Sequence, residues 1–476
     1  MSRLVAVSNR ISVPRRGAAP GGLAVGLLAA MQARRGLWFG WDGETVEIPA
    51  DEPSIVRKDG VTFASIEFDQ AEYKDFYLGF CNGTLWPLFH YFVDGFRYSD
   101  VQYEAYQRMN QRYARQLLPL LEPQDLIWVH DYHLFPLAQK LREAGANQPM
   151  GLFLHIPFPN IEVLRALPVY GELLQAMLAY DVLGFQTEPD RDAFRSAVAS
   201  MWGDKTLTSD HTVTLGDRRV VTGVFPIGVD VDAIQREAVE SQSTEACKRM
   251  LAGLLGRRLM IGVDRLDYSK GLVERFKAYE RFLETHPENQ NRVTFLQIAP
   301  LSRSDVRAYA EIRRDLEQTT GRTNGRFADT DWTPIRYLNR NFPHDVLMGF
   351  MRSALIGIVT PVRDGMNLVA KEFVAAQDPA DPGVLILSTM AGAARELTSA
   401  VMVNPYDARG MAHAIQQAFN MPIGERRERH QAMVEVLRKY SITAWHTSFI
   451  DTLESVGKRV PPQLALKAGG RIRVGG

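Results

Sequence analysis

The sequence has little cysteine, no excess of either charge and no long apolar run, and each absence excludes a class of protein. Only two of its 476 residues are cysteines, Cys81 and Cys247, and they lie far apart without metal-ligand spacing. A disulfide framework is therefore excluded, and a reducing cytosol is the expected compartment. Lysine plus arginine total 55, and so do aspartate plus glutamate. No overall field therefore attracts nucleic acid or an acidic membrane.

The apolar segments are too short for a signal peptide or a membrane span. The N-terminal MSRLVAVSNR loses its apolar character at Ser8, too early for a signal peptide. GLAVGLLAAM, residues 22–31, has roughly half the length that a bilayer requires. The composition is that of an ordinary globular protein, 46% apolar and 23% charged. We therefore expect a cytoplasmic protein with neither membrane nor nucleic acid as a partner.

Recurrent short apolar runs predict an α/β fold. Two domains are expected, because 476 residues are too many for one ordinary core. Most runs are continuously apolar, as strands buried on both faces must be, and helix-like stretches separate them. Largely parallel sheets follow from this pattern. The predicted strands are 4–8, 37–41, 62–68, 126–130, 151–156, 182–186, 220–226, 258–263, 293–299, 355–360, 384–388 and 400–404.

The polar, helical segment 231–258 joins the two strand series. We place the boundary near residue 235, which gives an N-terminal domain 1–235 and a C-terminal domain 236–457. Each is predicted to hold a doubly wound, Rossmann-like sheet, with the active site in the cleft between them. The tail 458–476 has five basic residues and no acidic one. It is predicted to be disordered and outside the core.

The stretch TPVRDGMNLVAKEFVAAQD, residues 360–378, marks a candidate ligand site. A predicted strand ends at a corner containing Asp364, and a helix follows with Glu372 in its first turns. Such corners in α/β sheets bind ligands, and the helix N-terminus offers free N–H groups to an anion. Asp364 could accept hydrogen bonds from sugar hydroxyls, and Glu372 from a ribose diol. An isolated Asp-Gly could equally serve only a tight turn.

VDRLDYSKG, residues 263–271, supplies two cations at the end of another predicted strand, before a helix expected near Leu272. Arg265 and Lys270 could neutralise a diphosphate, whose charge exceeds what a helix terminus alone can offset. Taken alone, the pair could equally be two solvated loop cations. Together with the Asp364 corner it indicates a site for a nucleotide-sugar donor.

The first half carries candidate sugar contacts. Arg10 follows the first strand, and the loop predicted at 76–91 is dense in aromatics, including Tyr77 and Trp86. Such stripes are more often core, yet sugars stack their apolar faces on aromatic rings. Asp131 follows strand 126–130, where its carboxylate could accept from hydroxyls. A metal site at His130 and His133 lacks a third ligand nearby, which favours two buried structural histidines.

These motifs, with QIAPLSRSDV at 297–306, resemble the trehalose-6-phosphate synthase family, retaining GT-B glycosyltransferases of family 20. The resemblance runs in order from about residue 2 to 455. It implies a GT-B fold of two Rossmann-like domains, with the last helix packing back on the first. It also implies transfer of glucose from UDP-glucose to glucose 6-phosphate, giving α,α-trehalose 6-phosphate and UDP, by a homo-oligomer.

The resemblance implies a role for each donor residue. Arg265 and Lys270 hold the diphosphate, Asp364 orients the transferred glucose and His155 contacts it. The remaining implied donor contacts are Gly21, Gly22, Phe342, Leu368, Val369, Ala370, Lys371 and Glu372, with Glu372 on the ribose. From the residues alone, GGLAVG could serve helix packing, Phe342 could be core, and His155 could be structural.

The implied acceptor site consists of Arg10, Tyr77, Trp86, Asp131 and Arg303. Arg10 and Arg303 would pinch the 6-phosphate, a task that suits two planar guanidinium forks. Since one comes from each half, acceptor binding should favour cleft closure.

The family retains the α configuration. A retaining glycosidase needs two carboxylates about 5–5.5 Å apart, and the spacing identifies no such pair here. Asp364 is a tempting nucleophile, but the resemblance assigns it to orientation, so front-face transfer is the favoured mechanism. Neither a metal nor another cofactor is expected, because Arg265 and Lys270 would do the metal's work. The Asp-x-Asp triplets at 230–232 and 329–331 are predicted turn or helix-start acids.

The sequence departs from the family pattern at two places, Asp42 in Trp41-Asp42-Gly43 and Asn160-Ile161 after HIPFP at 155–159. These departures bear on substrate preference more than on reaction type. Three alternative functions agree less well with the residues present. A relative with another acceptor, such as a glucosylglycerol-phosphate synthase or a pseudo-glycosyltransferase, would fit less well with the intact acceptor set. A non-catalytic sugar-phosphate sensor would have lost donor residues. An oxidoreductase would need a G-x-G-x-x-G after the first strand, and the sequence has none there.

Overall fold

A computed structural model describes residues 2–11, 13, 22–301 and 307–457, and these form two sheets. The first sheet comprises β1 Leu4–Arg10, β2 Leu37–Thr45, β3 Ser54–Lys58, β4 Val61–Phe68, β5 Leu126–His130, β6 Met150–Phe153, β7 Val182–Phe185, β8 Thr212–Leu215 and β9 Arg218–Val224. The second comprises β10 Arg258–Val263, β11 Val293–Ile298, β12 Ile335–Leu338, β13 Ile356–Val359, β14 Val384–Ser388 and β15 Val401–Val403.

The strand orders are β3-β4-β2-β1-β5-β6-β7-β9-β8 and β12-β11-β10-β13-β14-β15. In the described residues, only the edge hairpins β3–β4 and β8–β9 pair antiparallel. The predicted α/β architecture of two parallel sheets is confirmed. All twelve predicted strands coincide with observed ones, and the three that the sequence did not predict, β3, β8 and β12, are edge strands.

The helices that cover the sheets are α1 Gly22–Ala33, α2 Gln70–Glu72, α3 Trp86–Phe89, α4 Asp100–Leu117, α5 Leu137–Glu143, α6 Ile161–Leu164, α7 Tyr170–Met177, α8 Glu188–Trp202, α9 Val231–Ser241, α10 Glu245–Ala252, α11 Leu272–Thr285, α12 Arg307–Phe327, α13 His344–Arg352, α14 Leu368–Ala376, α15 Ala408–Asn420, α16 Ile423–Lys439 and α17 Ile442–Gly457. A π-helix, Tyr73–Leu85, joins α2 to α3. The prediction of a loop at 76–91 was therefore wrong. At the end of the π-helix, the Trp86 N–H donates to Cys81 O, five residues back.

Two chain segments cross between the sheets side by side. Residues 225–230 lead from β9 into α9, and residues 440–441 lead from α16 into α17. Gly228 lies against the returning segment, since a Cβ there would be 1.9 Å from Tyr440 O. Because α9 packs on α13 and α14, the boundary expected near residue 235 falls inside a helix that packs with the second sheet.

The last helix, α17, packs on α1, β5 and β7 of the first sheet. Its Phe449 ring stacks on Trp128 with centroids 4.6 Å apart. Gly151 and Gly184 on neighbouring strands leave room for that ring, because a Cβ at either would approach it to 2.7 Å. The predicted tail, 458–476, lies outside the described residues.

Candidate active site

Predicted site residues follow the strands at which the order of strand addition reverses in each sheet. In the first sheet the chain builds outward from β1 and then resumes on its other side with β5, and β10 and β13 have the same relation in the second. Crevices that bind ligands open at the carboxyl ends of such strand pairs. Arg10 ends β1 and Asp131 follows β5, whereas Lys270 and Asp364 follow β10 and β13.

Lys270 and Asp364 meet although 94 residues separate them. Lys270 Nζ donates to Asp364 Oδ2 over 2.5 Å, and Asn367 Nδ2 donates to the same oxygen over 2.9 Å. Burial alone would raise the pKa of Asp364, but the Lys270 ammonium outweighs it and holds that pKa below the ordinary value. A carboxylate and an ammonium therefore stand together at this corner.

A buried arginine that the sequence analysis missed supports the Lys270 loop. The Arg275 guanidinium is fully buried and donates to Asp264 Oδ2 at 2.7 Å and to Gln297 Oε1 and Thr360 Oγ1 at 2.9 Å. It also donates to the Lys270 carbonyl at 3.3 Å. One side chain thus ties together the ends of β10, β11 and β13. The available signal was its place on the buried face of α11, between apolar residues 272 and 279.

The N-terminus of α14 faces the same crevice. Asn367, at φ +82°, caps the helix by accepting from Ala370 N at 3.2 Å. Helix geometry leaves the Leu368 and Val369 N–H groups without intrahelical acceptors, as an anion site requires. The Lys371 side chain is turned elsewhere. Its buried ammonium donates to Ile227 O at 2.7 Å and to Glu396 at 2.9 Å, so only its backbone is available to a nucleotide.

Two further predicted donor residues flank α14. The Glu372 side chain is largely buried, and its Oε1 lies 3.7 Å from His344 Nε2. The Phe342 ring is partly buried against Phe350, with centroids 5.5 Å apart, and the Arg340 guanidinium lies 4.4 Å from its centroid. Phe342 is thus partly a core residue, which was the alternative to a nucleotide contact. It also lines a cavity of about 630 Å³ beside α10 and α13.

Rings of the first half touch side chains of the second half across the cleft. The pairs are Arg265 with Trp86 at 5.7 Å, Tyr268 with Phe92 at 4.8 Å and Arg363 with Tyr91 at 4.1 Å, each measured to ring centroids. Arg265 remains exposed. Its guanidinium therefore points into the interlobe groove rather than into the second domain.

Arg10 is held by the loop that departs from the family pattern. Its guanidinium lies 5.9 Å from the Trp41 ring centroid. A Cβ at Gly43, whose φ is +99°, would lie 2.3 Å from Arg10 Nε and Nη2. Asp42 Oδ1 accepts the Glu44 N–H at 2.9 Å and so closes its own turn. The added carboxylate serves the loop backbone.

The two predicted aromatic contacts, Tyr77 and Trp86, belong to an aromatic wall of five rings that runs from Arg10 toward Arg265. The ring-centroid distances along it are Trp41 to Tyr77 5.7 Å, Tyr77 to His133 6.0 Å, His133 to Tyr132 4.0 Å and Tyr132 to Trp86 5.8 Å. His90 is buried behind this wall, and its Nδ1 hydrogen-bonds Trp86 O at 2.7 Å. Burial lowers the pKa of His90 to about 4, so it is neutral at physiological pH.

Asp131 and His155 are joined at the ends of neighbouring strands. The His155 N–H donates to Asp131 Oδ1 at 3.2 Å, and Asp131 adopts φ +75°, a conformation that is strained for a non-glycine residue. His155 Nε2 lies 3.1 Å from His130 Nδ1, and burial lowers the pKa of His155 to about 3. Gly365 of the other lobe approaches the His155 backbone closely, since a Cβ on Gly365 would lie 2.2 Å from His155 O.

Gly21 and Arg303 lie outside the described residues, while Gly22 begins α1. Asn160, the second departure from the family pattern, caps α6 by accepting from Val163 N at 3.2 Å, and its own N–H donates to Tyr91 Oη at 3.0 Å.

The Asp-x-Asp triplets are structural, as predicted. Asp230 caps α9 by accepting from Ala233 N at 3.0 Å, and Asp331 pairs with Arg257 at 2.7 Å. Within the parts of the chain that the structure describes, no cluster of three His, Cys, Asp or Glu residues could hold a metal ion. None of the described helices combines the length and the apolar composition that crossing a bilayer demands.

Comparison with known proteins matches this geometry to one family. The model of glycosyltransferase family 20 matches residues 8–455. A trehalose-6-phosphate synthase of Salmonella arizonae is 48% identical over 460 residues, covering 96% of both chains.

Two solved structures share the fold over nearly the whole chain. The UDP-forming trehalose-phosphate synthase of Burkholderia xenovorans, in complex with glucose-6-phosphate, is 46% identical with a TM-score of 0.91, covering 95% of this chain and 100% of that chain. An E. coli structure described as trehalose-6-phosphate bound with UDP-2-fluoro glucose is 45% identical with a TM-score of 0.91, covering 97% of this chain and 100% of that chain.

Proposed function

The chain belongs to glycosyltransferase family 20, and on that premise we propose that it transfers glucose from UDP-glucose to glucose 6-phosphate. The products are α,α-trehalose 6-phosphate and UDP. The observation that carries the proposal is the 2.5 Å Lys270–Asp364 pair beside the N-terminus of α14. It faces the aromatic wall of the other lobe, and relatives solved with a UDP-2-fluoro glucose and with glucose-6-phosphate support the two substrates.

On the donor side, Lys270 and Arg265 bind the diphosphate together with the N–H groups that open α14. Asp364 accepts from hydroxyls of the transferred glucose, and Glu372 accepts from the ribose. Phe342 lies along the nucleotide and His155 contacts the glucose. The buried Arg275 fixes the Lys270 loop, so the cation is preorganised before the donor arrives.

On the acceptor side, Arg10 binds the 6-phosphate with the help of Arg303. Tyr77 and Trp86 stack on the sugar, and Asp131 accepts from its hydroxyls. Arg265 contacts the Trp86 ring, so a single ring adjoins both substrates. This contact supports the proposal that the acceptor binds directly beside the donor.

The transfer keeps the α configuration by reaction on one face of the donor sugar. The acceptor O1 attacks C1 as the bond from C1 to the β-phosphate oxygen breaks, and the hydroxyl proton passes to that departing oxygen. Lys270 and Arg265 stabilise the charge that grows on UDP, a contact that strengthens in the transition state. Asp364 acts as an orienting acceptor, because its carboxylate is already held by Lys270 and Asn367.

Two side-chain cations make a divalent metal unnecessary in this mechanism. Activity should therefore survive EDTA, and strict metal dependence would contradict the proposal. We also propose a cytosolic protein, which the two buried cysteines support, since neither Cys81 nor Cys247 is in a disulfide. A homo-oligomer follows from the family resemblance, and sedimentation velocity would test it.

The direct experiment incubates the purified protein with glucose 6-phosphate and UDP-, GDP- or ADP-glucose and identifies the disaccharide by NMR. An α,α-1,1 linkage with release of the nucleoside diphosphate is expected. Product only with another acceptor, such as glycerol 3-phosphate, would replace this function by that of a related synthase. Ligand binding without product would indicate a sensor.

A further inference from the structure

An unassigned histidine lies between two carboxylates beside the donor site. His344 begins α13, and its Nδ1 lies 2.8 Å from Glu237 Oε2 on α9. Its Nε2 lies 3.7 Å from Glu372 Oε1 on α14. These helices pack directly on one another, so the three side chains are held in a fixed row, Glu237–His344–Glu372.

Side-chain exposure falls along the row from Glu237 to Glu372, so Glu372 is the member most shielded from water. The side chain of Glu237 is 41% exposed, that of His344 26% and that of Glu372 only 12%. A carboxylate so far from water needs a compensating charge. Glu372 first and Glu237 second raise the pKa of His344 to about 9, against the opposing effect of burial. At neutral pH the imidazole is thus a cation that carries a proton on each nitrogen.

We propose that His344 is a positioning residue of the donor site, which holds the Glu372 carboxylate toward the ribose diol and is itself oriented by Glu237. The inference rests on the proposed function. At 3.7 Å the contact with Glu372 is longer than a hydrogen bond, so it orients the carboxylate by charge and leaves its lone pairs to the hydroxyls. The short bond to Glu237 fixes the ring, as second partners commonly do for histidine.

The test compares UDP-glucose with 2′-deoxy-UDP-glucose, which lacks one hydroxyl of the diol. A hydrogen bond to a charged group contributes about tenfold or more in affinity. We expect the unmodified protein to prefer UDP-glucose in kcat/KM by about that factor. His344→Ala should reduce the preference to about threefold or less, raise KM for UDP-glucose and leave KM for glucose 6-phosphate unchanged.

The control is another histidine of the same lobe. The side chain of His286 is 27% exposed and its Nδ1 lies 3.5 Å from Glu288, but it follows α11 at the sheet edge opposite the cleft. His286→Ala should keep the full preference. Glu237→Gln should reduce the preference less than His344→Ala does, and should add nothing in the double variant. His344→Gln, which keeps a donor without the charge, tests the same point should the alanine variant fold poorly.

The outcomes separate the two proposals. No product from the unmodified protein refutes the proposed function itself. Normal turnover with an unchanged ribose preference in folded His344→Ala and His344→Gln overturns the positioning role. An unchanged preference in Glu372→Gln also overturns it, because the carboxylate would then not read the ribose.

Discussion

Replacing Gly43 by alanine should weaken acceptor binding through Arg10, which lies on the neighbouring strand β1. The Cβ of the alanine would lie 2.3 Å from the Arg10 guanidinium, whereas ordinary contacts begin near 3.4 Å. The guanidinium must therefore move by about 1 Å, away from the position that it holds against Trp41.

The magnitude has two separable parts. An alanine at φ +99° destabilises the fold by about 1–2 kcal/mol, since the left-handed region disfavours a Cβ. A charge-assisted hydrogen bond to phosphate contributes about 1.5–3 kcal/mol. Its weakening should raise KM for glucose 6-phosphate by about tenfold, while KM for UDP-glucose stays nearly constant.

The assay is steady-state kinetics with each substrate varied in turn, and Gly60→Ala is the control. Gly60 also has a positive φ, +79°, but a Cβ there meets nothing within 4 Å. It should lose similar stability and keep its KM values. Equal KM values in Gly43→Ala and the unmodified protein, or an equal rise in Gly60→Ala, would refute the assignment of Arg10 to the phosphate.

Three further predictions concern stability and closure. Arg275→Leu leaves the Asp264 charge buried and unpaired, so urea unfolding should show a loss of about 3–5 kcal/mol; a loss under 1 kcal/mol would contradict this. Because the folded pKa of His90 is about 4, the unfolded state binds more protons below pH 6.5, and stability should fall as the pH drops from 6.5 to 4. His90→Gln should flatten that slope. Gly365→Ala should lower kcat at least tenfold, because its Cβ would approach His155 O to 2.2 Å and push the lobes apart; unchanged kcat would show that this approach is not needed.

The sequence predicts the interior of both sheets and misses three of the four described edge strands, for a physical reason. Strands buried on both faces are continuous apolar runs, and every such run here was recognised. β3 is exposed along most of its length, and β8 and β12 are only partly buried. Edge strands can therefore carry polar and charged residues, which removes the signal. The π-helix at Tyr73–Leu85 was equally hidden, since its Gly and Asn residues resemble those of a loop.

Some residues of the candidate site could be predicted from the sequence and others could not. Lys270 and Asp364 follow buried strands, so their meeting could be inferred from strand ends alone. The partners that orient them could not. Arg275 lies between apolar positions of α11, but its complete burial and its partners on three strand ends depend on the tertiary fold. The Lys371 side chain is buried against Glu396, a tertiary pairing that no local pattern indicates.

The most direct test of the account is the effect of Lys270→Ala on turnover, measured beside glucose 6-phosphate affinity from calorimetry. If Lys270 stabilises the departing UDP, kcat should fall by about 10²–10³, while the dissociation constant of glucose 6-phosphate changes less than threefold. A variant that keeps its kcat but loses acceptor affinity would contradict the central claim.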